Sequence, residues 1–202
     1  MKPLILILIF AFHFATANSQ TATPIKFEEL QLEDSSGKIF NTSSLLGKVV
    51  YVEFWFTACA PCIHEIPYSQ ALQLFFAKDT NVVFLNICIE SLNRKPVWKQ
   101  MIQDKKMMGI HLFYARNRPQ KVNLLRQYDI KFPAYIMVDK TRKIISYDMP
   151  RPSETGWVYW LINRATKGFT PHESAYKIDE QYEEYTKFQT EVKNSLPVEL
   201  QQ

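Results

Sequence analysis

The sequence predicts an α/β domain with a central mixed sheet and helices on both faces. Three observations carry this. Residues 49–56 (VVYVEFWF) and 81–89 (NVVFLNICI) are β-branched and aromatic runs without alternation, the pattern of strands buried on both faces. Helical patterns fall between and after them, as crossover helices between sheet strands do. Near the end, strand-like residues 134–138 and 143–147 flank a turn at 139–142, giving the order β-α-β-α-β-α-β-β-α.

Each element has its own warrant. Lys2, the apolar run 4–12 (LILILIFAF) and the small residues Ala15-Thr16-Ala17 have the three-part pattern of a secretory signal peptide over residues 1–17. The run is too short to span a bilayer. Residues 18–26 are polar and predict a flexible segment. Residues 27–40 predict two short strands around the Asp34-Ser-Ser-Gly37 turn, an N-terminal β-hairpin, and Thr42-Ser43-Ser44 caps a turn before Gly47. A helix is expected from Cys59 to about Lys78. Another is expected over 93–108, with Pro96 in its first turn, followed by a strand over 110–114 and an amphipathic helix over 120–128. The last core helix, 153–165, has Ser153 as its predicted N-cap. The domain then spans 27–169. Residues 170–202 form a polar extension whose charge pattern suggests a helix over about 177–192.

Composition narrows the function. Hydrophobic residues make up 47% and the net charge is +4, with Lys and Arg scattered rather than striped, so nothing points to nucleic acid. Three cysteines cannot build a disulfide framework. In the oxidising compartment that a signal peptide implies, one pair plus one leftover is the natural partition. Cys88, inside an apolar strand, fits a small buried core residue.

Cys59 and Cys62 are the pair. Cys59 stands where a strand ends and a helix begins, so unpaired backbone N–H groups and the positive helix end favour its thiolate, the nucleophile of disulfide exchange. Cys62 is three residues on, on the same helix face, within reach of a disulfide. Pro61 occupies a first-turn position that needs no donor. This geometry predicts an exposed attacking thiol and a more buried resolving one. Two carboxylates are candidate proton acceptors for the resolving thiol. Glu65 is one turn beyond Cys62. Glu53 lies inside the buried strand, where desolvation should raise its pKa towards neutrality.

The segment VVYVEFWFTACAPCIHEIP resembles the active site of thioredoxin-fold proteins, in particular secreted thiol-disulfide oxidoreductases of the TlpA/ResA type. The strand ending Phe54-Trp55, the C-x-P-C pair and Pro67 five residues after the second cysteine all match. The resemblance covers roughly residues 27–166 and implies a thioredoxin-like three-layer sandwich with a helix-strand insertion over about 93–114. By the same resemblance, Glu53 takes the place of a buried thioredoxin aspartate and Glu65 that of an active-site glutamate. KFPAYIMVDKTRKII resembles the segment holding a cis-proline, which would be Pro133 and would face the cysteines to dock an extended substrate strand. Three departures stand out. Ala58 replaces the usual Trp before the first cysteine, Phe132 replaces the usual Thr or Val before the proline, and Thr141-Arg142 replaces an Asp-Gly turn. With Trp55, Phe132 and Pro61 shaping the surround, the expected substrate contact is apolar.

The sequence therefore predicts a secreted or periplasmic thiol-disulfide oxidoreductase, most naturally a reductase. Its partners would be disulfide- or dithiol-bearing secreted proteins and a membrane-bound electron donor, with no bound cofactor. Copper carriage by Cys59, Cys62 and His64 is the main rival. It is weakened because His64 lies about 200° round the helix from Cys62. Peroxidase chemistry lacks its single-thiol pattern. A turnover-free structural disulfide would need neither the helix start nor the carboxylates.

Overall fold

The computed structural model describes residues 25–117, 119 and 123–201. The predicted signal peptide, most of the 18–26 segment and the first residues of the predicted 120–128 helix lie outside them. Seven strands form one sheet: β1 (Gln31–Asp34), β2 (Ile39–Asn41), β3 (Val49–Trp55), β4 (Val82–Glu90), β5 (Ile110–Ala115), β6 (Ala134–Val138) and β7 (Ile144–Ser146). Their spatial order is β2-β1-β5-β4-β3-β6-β7. The β3/β4 and β4/β5 pairs are parallel, and the β1/β2, β1/β5, β3/β6 and β6/β7 pairs are antiparallel. The sheet is mixed, as expected.

Every residue of β3 is buried, Glu53 included, which explains why its sequence lacks polar alternation: a strand at the centre of the sheet has no solvent face. Its even-numbered residues, with Leu85, Ile87 and Leu112, enter one apolar cluster. Its odd-numbered residues face the other way. There Val49 and Tyr51 join a cluster with α4 (Thr155–Thr166), and Trp55 joins a separate one with both paired cysteines. The hairpin β1–β2 turns through Gly37 at φ 94, the left-handed conformation that glycine takes without a Cβ penalty. It extends the sheet beyond β5, the strand of the expected insertion.

Helix α1 (Ala60–Phe75) follows β3 directly, and α2 (Lys95–Asp104) precedes β5 with Pro96 in its first turn. Among the described residues the 120–128 pattern yields a single short helix, α3 (Leu124–Gln127). At the position usually held by Asp-Gly, Arg142 adopts φ 68. Its guanidinium donates to Glu29 and to the Phe27 carbonyl at 2.7 and 2.9 Å, so the side chain does work that glycine cannot.

One expectation is overturned here. Ser153 does not cap α4. The helix starts at Thr155 with Glu154 as the flanking residue, and that cap makes no side-chain bond. Ser153 is turned back onto α1 instead, where a buried carboxylate competes for its donors. The C-terminal residues form α5 (Pro171–Tyr176), opened by a Thr170–Glu173 capping box, and α6 (Tyr182–Ser195). Val192 and Leu196 are buried in the cluster that α4 shares with β3. The helix therefore begins later than the charge pattern suggests, and it is held by this packing together with ion pairs from Glu184 to Lys167 and Arg164.

Candidate active site

Cys59 is the N-cap of α1, and Cys59 and Cys62 are joined by a disulfide. The Cys62 backbone N–H donates to the Cys59 sulfur at 3.2 Å. The junction arises because β3 runs out at Trp55, a turn follows, and Pro61 then fits the first helical turn. A donor aimed at the first sulfur is what stabilises negative charge on it when the pair is reduced.

Both half-cystines are buried, Cys59 at 3% and Cys62 at 1% exposure, so the exposure predicted for the first sulfur is not seen. The reason is packing. Trp55, Trp98 and Phe113 belong to the same cluster, and Phe56 and Phe132 pack onto it. These last two rings meet edge to face with centroids 5.0 Å apart. Ala58, Ala60 and Pro61 are exposed beside the pair. The Phe132–Pro133 peptide bond is cis, as the resemblance implies.

The two carboxylates occupy different settings. Glu53 is 6% exposed at the centre of β3, paired with Asn86 of β4 and Tyr135 of β6. The Tyr135 hydroxyl donates to its Oε1 at 3.2 Å. Burial raises the Glu53 pKa to about 8; the Tyr135 bond opposes the rise and the charge of Glu65 adds to it. Glu65 is 2% exposed on α1. Ser153 donates to both its oxygens, N–H to Oε2 and Oγ–H to Oε1, each at 2.9 Å. His64 Nδ1 stands 3.8 Å from the same carboxylate while its ring is largely exposed.

Several residues at the site escape a reading of the sequence. Ser153 and Tyr135 are two of them. A third group steadies the turn before Cys59. Buried Glu90 accepts from the Thr57 N–H at 3.2 Å and from its hydroxyl at 3.0 Å, and Arg94 donates to Thr57 Oγ1 at 2.9 Å. A buried glutamate ending an apolar strand, like Glu53 within one, was the available signal for Glu90. Cys88 is fully buried in the cluster of the other two cysteines, where burial pushes its thiol pKa far up and keeps it protonated. Among the described residues, no group of three or more His, Cys, Asp or Glu side chains is placed to hold a metal ion.

A mixed sheet whose central strand delivers a C-x-P-C pair to a helix N-terminus, with a cis-proline nearby, defines a thioredoxin-like protein. The chain belongs to the Redoxin family, whose model matches residues 17–155. The thiol-disulfide oxidoreductase ResA of Bacillus subtilis is 26% identical over 125 residues, 60% of this chain and 54% of that protein. The chain thus spans about half the length of the curated relatives it matches. Among solved structures, the thioredoxin domain of a thiol-disulfide oxidoreductase from Bacteroides vulgatus is 26% identical. Its TM-score is 0.58, covering 73% of this chain and 97% of that one. A thiol:disulfide interchange protein from Bacteroides sp. is 26% identical with a TM-score of 0.59, covering 75% and 97%.

Proposed function

We propose that the protein is a thiol-disulfide oxidoreductase working as a reductase on disulfides of secreted proteins. The observation that carries this is Cys59 at the N-cap of α1, disulfide-bonded to Cys62 and accepting its backbone N–H. In the reduced protein, Cys59 thiolate attacks a substrate disulfide. The Cys62 thiolate, deprotonated by Glu53 or Glu65, then displaces the substrate and closes the pair. Phe132, Trp55 and Pro61 form the apolar surround of the pair, and the cis-proline Pro133, just before β6, offers the backbone against which an extended substrate segment docks. A membrane-bound donor restores the dithiol, since an oxidising compartment cannot.

Residues 1–17 are a signal peptide, 27–169 the thioredoxin-like domain and 170–202 an extension, in a periplasmic or otherwise secreted protein. The similarity to proteins named thiol-disulfide oxidoreductase supports the reading. Among the described residues no helix is long and apolar enough to cross a membrane.

Reducing the protein with graded glutathione buffers and following the Cys59–Cys62 pair tests both activity and direction. A potential near or below that of thioredoxin, about −270 mV, supports the reductase. A strongly oxidising value reverses the direction, and a pair that never equilibrates ends the enzyme reading. A Cys62→Ser variant expressed in cells accumulates a mixed disulfide through Cys59, and the captured protein identifies the substrate.

A further inference from the structure

The face of the sheet that carries the cysteines is split. Tyr135, Glu53, Asn86 and His111 stand side by side at one register level across β6, β3, β4 and β5. One apolar cluster, with Tyr51, Phe84 and Met137, lies on one side of this row, and the cluster of the cysteines lies on the other. From above, α1 turns three buried polar residues four apart, Glu65, Ser69 and Gln73, onto the same face. A narrow cavity between helix and sheet is lined by Glu53, Ser69, Gln73, Asn86 and His111.

The seam leads outward. Gln73 Nε2 donates to Ser69 Oγ at 3.1 Å. His111 Nε2 lies 2.8 Å from the Met108 carbonyl, which only accepts, so Nε2 carries the hydrogen and Nδ1 keeps a lone pair. Buried Nδ1 has no partner among the described residues. At the end stands exposed Gly109, where a Cβ would lie 2.7 Å from Gln73 Oε1 and 3.0 Å from Asn86 Nδ2. The bare backbone lets both amides reach the surface edge. Isolated buried polar groups are costly, and a contiguous row of them running to solvent calls for a use.

We propose that this seam is the proton route of the resolving step, passing the Glu53 proton through water held between α1 and the sheet to the Met108–Gly109 edge, with His111, Asn86 and Gln73 as its positioning residues. The proposal rests on Glu53 being the base for Cys62. The need is geometric: a protein attached to Cys59 covers the mouth while Cys62 must still lose its proton. The Cys62 thiol gives that proton to the Glu53 carboxylate. The Cys62 thiolate attacks the Cys59 sulfur, the Cys59–substrate bond breaks, and the substrate thiolate takes a proton from solvent. Two electrons have passed from the pair to the substrate disulfide, and Glu53 is left protonated. Burial holds its pKa at about 8, so at neutral pH it must be emptied before every turnover. The groups facing Glu53 are Tyr135 of β6 and Glu65 of α1. Burial lowers the His111 pKa to about 4, against two backbone bonds that raise it, so the ring stays neutral and able to accept.

Single-turnover kinetics of the reduced full chain test this with two probes, insulin as a protein disulfide and dithiobis(nitrobenzoate) as a small one that leaves the mouth open. His111→Leu should slow release of reduced insulin about fivefold near pH 7, flatten its pH profile, and leave the small probe and the capture step unchanged. If both probes slow equally, or neither slows, the route is refuted. Should His111→Leu not fold, Gln73→Met decides on the same readout. Glu53→Gln separates the two claims. If it slows release of both probes while the seam variants do not, the base stands and the route falls. If it slows neither, both fall.

Discussion

The two faces of the sheet are built to different rules. On one, Val50, Val52 and Phe54 of β3 meet Leu85, Ile87 and Ile89 of β4 and Leu112 of β5 without a polar interruption. On the other, the same strands carry Glu53, Asn86 and His111 at matching levels, and α1 adds a buried polar stripe. The first face is dry packing, where each buried side chain contributes by the area it removes from water. The second gives up part of that gain to a titrating carboxyl in the polar row next to the cluster of the cysteines. The difference teaches that the apolar pattern of this sheet is broken in register, and on the cysteine-bearing face only.

Four experiments break or sharpen that comparison. The largest effect is on the interrupted face: Cys59→Ser abolishes disulfide exchange altogether, measured by insulin reduction. Residual turnover above a few per cent would detach the activity from this site.

Next is the pH dependence of stability in the oxidised protein, where the paired cysteines do not titrate. The Glu53 pKa is raised from 4.5 to about 8, so the folded state keeps a proton that the unfolded chain gives up. Stability from this group is therefore full at low pH, declines as pH rises through that window, and is flat above it. The loss is roughly 5 kcal/mol at 1.36 kcal/mol per unit over the shift from 4.5 to about 8. Glu53→Gln should match the wild type at pH 5 and exceed it by that order at pH 8 in urea unfolding. An equal gap at both values would mean that Glu53 does not titrate as described.

On the uninterrupted face, Leu85→Ala should cost about 3 kcal/mol at every pH, because it opens a cavity in a fully buried site and removes no charge. A pH-dependent cost would mean that the two faces are coupled.

The smallest effect is at Ser153. Ser153→Ala removes one of two donors to buried Glu65 and should cost about 1–2 kcal/mol. Ser153→Thr should restore most of it if the hydroxyl is what matters. A cost below the error of a denaturant midpoint would show that the N–H alone secures the carboxylate.

Much of this was legible in the sequence for local reasons. The strand runs at 49–56 and 81–89 recorded burial on both faces, and Cys59 at a strand-helix junction needed only its neighbours to be placed. Ser153 was misread for an equally local reason. A serine just before an apolar run looks like a cap, but a carboxylate 88 residues earlier in the chain takes its donors. The exposure predicted for Cys59 failed likewise, since Trp98 and Phe113 come from the insertion that folds over the pair.

By itself the sequence determined where the sheet strands and the helix after the cysteines would form, which cysteines would pair, and that Glu53 would be buried. Periodicity and helix-end chemistry act over a turn or two of chain, and those features need no more. The tertiary structure decided which groups the buried carboxylates answer to: Tyr135, 82 residues beyond Glu53, and Ser153 beside Glu65. It also decided that Asn86 and His111 fall level with Glu53. Strand order and register set those partnerships, and both are fixed only when the whole sheet closes its cores.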